Sequence, residues 1–107
     1  MRRNVMTKKP DRFHHVALAV SDISAAVDWY RSRFNVDIAY RDDSWALLSF
    51  ANIDLALVLP SAHPPHIAAE CSEAGRFGPL SVHRDGTSSV YVIDPWGNAV
   101  EFLERGS

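Results

Sequence analysis

Two histidines and one glutamate stand at related places in two similar stretches of the chain. Residues 15–22 (HVALAVSD) and 66–73 (HIAAECSE) align residue for residue, and a second pair of stretches, NIDLAL and NAVEFL, follows them. Such paired self-similarity indicates two copies of one structural unit. The copies would bring His15, His66 and Glu101 to related places, and two imidazoles with one carboxylate form a metal site that keeps coordination positions open.

A ligand set of this kind suits a metal that binds its substrate directly. Fe(II) is the favoured metal, and Mn(II), Ni(II) and Zn(II) also fit. Each histidine, taken alone, could instead be a hydrogen-bonded residue of the core. His14 is expected to face the side opposite to its neighbour, and His63, between prolines, is expected to be solvated. Leu55 occupies the repeat position of the glutamate, so no fourth ligand is expected there.

The first unit, which must position the first histidine, reads as β-α-β-β-β. A strand over Phe13–Val20 places His15 between alanines on one face and larger residues on the other, which a helix is expected to cover. Ser21 or Asp22 can cap that helix, and Asn35 can end it in a left-handed turn. The apolar stripe of the helix consists of Ile23, Ala26, Val27, Tyr30 and Phe34. The three strands expected after the helix are Val36–Arg41, Ser44–Phe50 and Ile53–Leu59.

The second unit begins after the linker Ser61–Pro65, with a strand over His66–Cys71. Residues 72–80 contain two glycines and a proline, so we expect at most one helical turn there. In the closing DPWGN hairpin, Gly97 is expected to supply the special backbone angles and Asp94 to accept turn hydrogen bonds. The remaining elements are a strand near Ser81–Arg84, a turn at Asp85-Gly86, and strands at Ser89–Ile93 and Ala99–Glu104.

The composition narrows the class of protein. A chain of 107 residues can form one core, and we predict a single domain over 1–107. The net charge of −2 does not favour nucleic acid or an anionic membrane as partner. No apolar run approaches a membrane span, and the basic start lacks the apolar core of a signal peptide. The single cysteine, Cys71, cannot form an internal disulfide, which predicts a cytoplasmic location.

Several of these stretches together resemble one known family. HHVALAVSD, a helix with WYRSRF, HIAAEC and YVIDPWGNAVEFLE are similar to the vicinal oxygen chelate superfamily over about residues 13–105. That superfamily includes glyoxalase I, extradiol ring-cleaving dioxygenases, methylmalonyl-CoA epimerase and bleomycin-binding proteins. The resemblance implies an α+β fold of two βαβββ-type modules, about 13–60 and 66–105, that form a cupped mixed sheet. The helix of the second module would be largely deleted, and 1–12 would be a loose tail.

The resemblance also implies roles for particular residues. It places metal ligands at His15, His66 and Glu101, and the pattern H-x6-V-Y-x2-D-P-x-G-x3-E from His83 resembles the extradiol dioxygenase signature, although Ser81 departs from it. In that family the histidine and tyrosine contact the substrate, so Tyr91 would donate to a substrate oxygen and His83 would move a proton. The alternatives are a strand aromatic for the tyrosine and a surface residue for the histidine.

These observations predict a small-molecule metalloenzyme of the vicinal oxygen chelate type, leaning to extradiol-dioxygenase-like chemistry on a catechol-type substrate. The alternatives are a metal-free small-molecule binding protein resembling bleomycin resistance proteins, and a metal-dependent isomerase or lyase. Deletion of the second helix would leave the sheet around Ile67 and Cys71 uncovered, so we expect a homodimer, with the N-terminal tail as the other possible cover. Trp45 could line a cavity or support the sheet.

Overall fold

The structure, a computed structural model, describes residues 10–83 and 86–104, so the predicted tail before residue 10 and Asp85 of the predicted turn lie outside it. Within these ranges the chain is α+β, with one α-helix, α1 (Ile23–Arg33), a 3₁₀ turn (Ala74–Phe77), and eight strands in one sheet. The strands are β1 Arg12–Ala19, β2 Asp37–Arg41, β3 Trp45–Ser49, β4 Asp54–Val58, β5 His66–Glu70, β6 Ser81–Val82, β7 Ser88–Ile93 and β8 Ala99–Glu104.

The two modules join side by side through their first strands. The strand order is β2-β3-β4-β1-β5-β8-β7-β6 in an open, curved sheet. β1 and β5 run antiparallel at its centre, and each pairs in parallel with the last strand of its own module, β4 or β8. His15 lies opposite Ala68 and Ala17 opposite His66. Since residues two apart share a face, both histidines lie on the same side of the sheet.

The helix forms as the sequence predicts, and it packs on the outer strands of the first module. The Asp22 carboxylate accepts a hydrogen bond from the backbone N–H of Ala25 at 3.0 Å, which caps its first turn. The buried side chains of the helix, Ile23 and Val27, pack with Leu48 and Leu57 of β3 and β4. Burying such apolar side chains supplies most of the stability of a short helix.

Two details of the first module differ from expectation. The helix does not cover the bulky face of β1, where Leu18 stays 39% exposed. It connects β1 to the edge strand β2 and therefore passes over the intervening β4 and β3. The helix also does not end in a left-handed Asn35: Phe34 is extended (φ −130°) and donates its N–H to the Tyr30 carbonyl at 2.9 Å, and among the described residues only glycines have positive φ.

A single 3₁₀ turn takes the place of the helix in the second module, as predicted. Ala74 is fully buried, and the ring of Phe77 stacks on Phe102 of β8 with 3.9 Å between centroids. Gly78 follows with φ +150°, and a Cβ on it would lie 3.2 Å from Val90 of β7. The turn thus covers β7 and β8, whereas Ile67 on the outer face of β5 remains 37% exposed.

The β7–β8 hairpin aligns two predicted site residues. The Asp94 carboxylate accepts from the backbone N–H groups of Trp96 and Asn98 at 2.9 and 2.8 Å, and Gly97 has φ +89°, as predicted. The side-chain and backbone hydrogen bonds from Asn98 lower the pKa of the Asp94 carboxyl. The turn leads into a register in which Tyr91 lies directly opposite Glu101.

Candidate metal centre

Three side chains from adjacent central strands converge on the concave face of the sheet. The Nε2 atoms of His15 and His66 are 3.0 Å apart, and Glu101 Oε1 lies 3.3 Å from the first and 3.2 Å from the second. Glu101 joins the histidines because β8 places it beside Ala68, two residues beyond His66 on the neighbouring strand. The three side chains are between 5% and 14% exposed, so the cluster is shielded from water yet reachable from one side.

These separations fit a divalent cation. Two donor atoms about 2.1 Å from one metal lie about 3.0–3.4 Å apart at angles between octahedral and tetrahedral. One ligand atom from each of the three residues meets this spacing, and these are the only three metal-binding side chains among the described residues that cluster so closely. Imidazole nitrogen and carboxylate oxygen are donors that Fe(II), Mn(II), Ni(II) and Zn(II) accept.

The charges of the cluster are balanced by hydrogen bonds. Burial alone would raise the pKa of Glu101, but hydrogen bonds from His15, His66 and Ser89 outweigh it and hold that pKa well below its usual range. Burial alone would lower the pKa of His66, but its bonds to Glu101 and the Pro64 carbonyl raise it. In the metal-free protein, protons therefore occupy the space between the donors, and metal binding must release them.

His14 faces the cavity, contrary to the strict alternation expected of a strand. The β1–β5 register shifts there: Phe13 lies opposite Ala69, and His15 lies opposite Ala68, so His14 has no opposite residue. This is a β-bulge, which rotates the following side chains and breaks the two-residue period. The His14 ring lines the same cavity as His15, with 2.8 Å between their Nδ1 atoms.

The two predicted catalytic residues both lie beside the cluster, and His83 is linked to it by Ser89, which no motif in the sequence predicted. His83 Nε2 is 2.8 Å from Ser89 Oγ and 3.9 Å from Glu101 Oε2. Ser89 is 2% exposed and hydrogen-bonds the ionised Glu101. A carboxylate only accepts, so Ser89 donates to it and in turn accepts from His83. The two-residue period of β7 is the sequence pattern that could have predicted this role for Ser89, because it puts Ser89 on the same face as Tyr91.

Tyr91 completes the polar side of the site. Its ring meets that of His66 edge-on, with 5.1 Å between centroids. Its hydroxyl hydrogen-bonds Glu101, and the pKa of Tyr91 is raised by burial first and then by the negative charge of that carboxylate. The phenol therefore stays protonated at neutral pH and serves as a hydrogen-bond donor.

The repeat position of Glu101 in the first module is Ala56, one residue beyond the position that motif alignment selects. In the β1–β4 register Leu55 lies beside Val16, and it packs in the helix-covered core, whereas Ala56 lies beside Ala17 in the cavity. The alignment slips because Asn52 precedes β4 by two residues, while the matching asparagine of the second module directly precedes β8. Alanine has no ligand atom, so this place supplies no fourth ligand.

The cluster lies in a cavity of about 650 Å³ whose opposite wall comes from the first module. Trp45 lines this wall and stacks on Tyr40 with 4.5 Å between ring centroids. Of the two roles expected for Trp45, it therefore has that of a cavity-lining residue. His63 is half-buried against Trp45, contrary to the expected solvation, because its backbone N–H donates to the Leu59 carbonyl at 3.0 Å and folds the linker back. The described lining includes no lysine or arginine.

Comparison with known proteins agrees with this architecture. A family model described as the Glyoxalase/Bleomycin resistance protein/Dioxygenase superfamily matches residues 12–78, more than half of the 107 residues. No curated protein matches the sequence significantly. No helix in the described ranges combines the length and apolar character that crossing a membrane requires.

Solved structures share the fold over nearly the whole chain. A hypothetical protein of Bacillus halodurans C-125 is similar with a TM-score of 0.71 and 15% identity, over 92% of this chain and 97% of that one. A methylmalonyl-CoA epimerase of Streptomyces coelicolor, in complex with 2-nitronate-propionyl-CoA, gives 0.70 and 14% over 90% and 98%. The methylmalonyl-CoA epimerase of Mycobacterium tuberculosis gives 0.68 and 16% over 90% and 89%. At these identities the matches show a shared fold.

Proposed function

Because the chain belongs to the glyoxalase/bleomycin resistance protein/dioxygenase superfamily, also called the vicinal oxygen chelate superfamily, we propose that it is a metal-dependent enzyme acting on a small molecule with two adjacent oxygens. The observation that carries this proposal is the triangle of donor atoms, 3.0–3.3 Å on each side, at the wall of a 650 Å³ cavity. His15, His66 and Glu101 would hold the metal, which would act as Lewis acid and template for the substrate.

Within this class, the site best supports extradiol-dioxygenase-like chemistry on a catechol-type substrate, with Fe(II) as the metal. A set of two histidines and one carboxylate with open positions is the arrangement that Fe(II) oxygenases use. Tyr91, protonated at neutral pH, would donate to a substrate oxygen. His83, held by Ser89 at 2.8 Å, would accept or return a proton at the cavity wall.

The charge of the cavity supports an uncharged substrate. Its described lining carries Asp42 and Glu101 and no lysine or arginine. An anionic phosphate or phosphonate group that reaches beyond the metal would find no lysine or arginine in this lining, and leaving such a charge unpaired in a partly buried site is costly. A catechol is neutral until its metal-binding oxygens lose protons, and its ring would face the apolar wall around Trp45.

A metal-dependent isomerase or lyase is the second candidate, because two of the similar solved structures are described as methylmalonyl-CoA epimerases. The absence of lysine and arginine from the described cavity lining favours the catechol over a CoA ester here.

We further propose that the chain forms one domain of two modules. The lone Cys71 supports a cytoplasmic location, and the exposed outer faces of β1 and β5 support a homodimer.

The testing experiment is metal analysis by mass spectrometry on anaerobically purified protein beside a His66→Ala variant, followed by oxygen uptake with substituted catechols. We expect stoichiometric iron or manganese in the wild type, its loss in the variant, and oxygen consumption matched to ring cleavage. Metal with no oxygen uptake, but with solvent hydrogen exchange into a chelating substrate, would favour the isomerase. Absence of metal even after reconstitution would favour the metal-free binding protein.

A further inference from the structure

We infer that His14 is a positioning residue that holds the His15 imidazole in the tautomer and orientation that metal binding needs. This inference rests on the proposed metal site and adds a residue outside its ligand set. The two rings meet at an interplanar angle of 81°, with 2.8 Å between their Nδ1 atoms. A contact this short between two ring nitrogens requires that one carries a proton and the other accepts it.

The donor of this bond follows from what His15 must do. Its Nε2 is the atom that approaches His66 Nε2 at 3.0 Å and Glu101 at 3.3 Å. A neutral imidazole that offers Nε2 to a metal carries its proton on Nδ1. Once a metal has displaced the proton from His15 Nε2, His15 Nδ1 would therefore donate to His14 Nδ1. The contact lies on the side of the ring that faces away from the donor triangle, so His14 supports the ligand without occupying its place.

The second histidine has a matching support of a different kind. His66 Nδ1 donates to the Pro64 carbonyl at 2.7 Å, so the loss of the Nε2 proton on metal binding would leave the Nε2 lone pair toward the cluster. Metal-binding histidines generally donate their other N–H to such a partner, and the partner fixes ring orientation and raises ligand basicity. In the second module the linker backbone supplies the acceptor. In the first module the strand supplies it through a neighbouring side chain.

The bulge is what makes this support available. In an unbroken strand, residues next to each other point to opposite faces, so His14 could not reach the ring of His15 from the cavity side. The shift between Phe13 and His15 turns both imidazoles into the cavity. Bulges of this kind re-aim side chains beside functional sites. The contact between His14 and His15 thus depends on the bulge in β1.

The test is Co²⁺ binding to the full, metal-free chain, measured by calorimetry and by the visible absorption that reports the coordination of this ion. Three variants change one property each: His14→Ala removes the ring, His14→Leu keeps bulk without an acceptor, and His14→Gln restores an acceptor oxygen. His63→Ala is the matched control for Co²⁺ affinity, since it removes another half-buried histidine that contacts none of the three donors. Thermal unfolding of each metal-free variant reports whether the fold is intact.

We expect His14→Ala and His14→Leu to weaken Co²⁺ binding by about 10–100-fold, as loss of an outer partner of a metal ligand generally does. His14→Gln should recover most of the affinity, and His63→Ala should leave it unchanged, with the absorption bands of the wild type in every variant. Wild-type affinity in both His14→Ala and His14→Leu would overturn the inference and leave the proposed function standing. So would altered bands without recovery in His14→Gln, which would make His14 a ligand. A wild type that takes up no Co²⁺, Fe²⁺ or Zn²⁺ would overturn both proposals.

Discussion

The two modules share one strand arrangement but present different chemistry to the cavity between them. Ala56, Leu47 and Trp45 of the first module occupy the register positions that Glu101, Tyr91 and Ser89 occupy in the second. One wall is therefore apolar and aromatic, and the other carries acid, phenol and hydroxyl. Each module also supplies one histidine, from β1 or β5. An approximate two-fold repeat has become an asymmetric cavity with one apolar wall and one polar wall.

On the outer face of the sheet, away from the cavity, the first module is the better packed of the two. In the first, α1 covers Leu48 and Leu57, which are fully buried. In the second, a four-residue turn covers the strands, and their outer residues Val92 and Val100 stay partly exposed. Because a single turn replaces the helix there, the polar half has less apolar packing of its own. The central β1–β5 pairing joins it to the better packed half.

The largest expected effect is a difference in metal affinity between substitutions at the two equivalent cavity positions, Glu101 and Ala56. Glu101→Ala removes a ligand, so we expect Co²⁺ or Zn²⁺ affinity to fall more than about 1,000-fold, about 4 kcal/mol, which exceeds what loss of an outer partner costs. Ala56→Ser places a small polar side chain on the other wall and should leave affinity unchanged. Isothermal titration of both variants checks this. Equal losses in the two would mean that the walls do not differ in metal binding.

The packing difference should appear in the stability of matched core truncations. Leu48→Ala empties a fully buried site under α1 and should lower the free energy of unfolding by about 3 kcal/mol. Val92→Ala, at the equivalent position of the second module, removes two carbons from a half-exposed site and should cost about 1 kcal/mol. Urea unfolding of the metal-free proteins measures both. A larger loss at Val92 would reverse the comparison.

Neighbouring serines on β7 test whether the polar wall depends on Ser89. Ser89→Ala removes the hydroxyl that donates to Glu101 and accepts from His83, so metal affinity should fall about 10–100-fold, roughly 1.4–2.8 kcal/mol. Ser88→Ala alters the adjacent residue, whose side chain points to the other face, and serves as the control. Calorimetric titration with Co²⁺ measures both variants. Indistinguishable affinities would remove Ser89 from the support of Glu101.

The smallest expected effect is on the steady-state constants of two cavity variants, one on each wall. If the first module holds the body of the substrate, Trp45→Ala should raise KM about fivefold, roughly 1 kcal/mol, and leave kcat unchanged, because the stacked ring contributes to ground state and transition state equally. Tyr91→Phe should instead lower kcat, since the lost donor acts on the reacting oxygens. Steady-state oxygen uptake with the best catechol separates the two. A fall in kcat for Trp45→Ala would contradict the division.

Much of the fold could be predicted because its signals are local. The cap at Asp22, the helical stripe, the shortened second helix and the DPWGN hairpin each depend on residues within one turn or one hairpin, and all are confirmed. Three errors are single-residue shifts: the side of β1 on which His14 lies, the helix end at Asn35, and the repeat position at Leu55. The other two, the strands that α1 covers and the burial of His63, concern which segments pack together. Bulges and strand offsets are set by the partner strand, and no local pattern reports them.

By itself, the sequence determined the inventory of the site: two repeated histidines, a glutamate after the hairpin, and the expectation that equivalent strands bring them together. Only the tertiary structure decided how they meet. It placed three donors from strands that are far apart in the chain within 3.3 Å of one another, turned His14 toward His15, inserted Ser89 between His83 and Glu101, and made the facing wall apolar. The physical reason is that side-chain type is a local property, whereas distance across a sheet depends on the register of strands far apart in the chain.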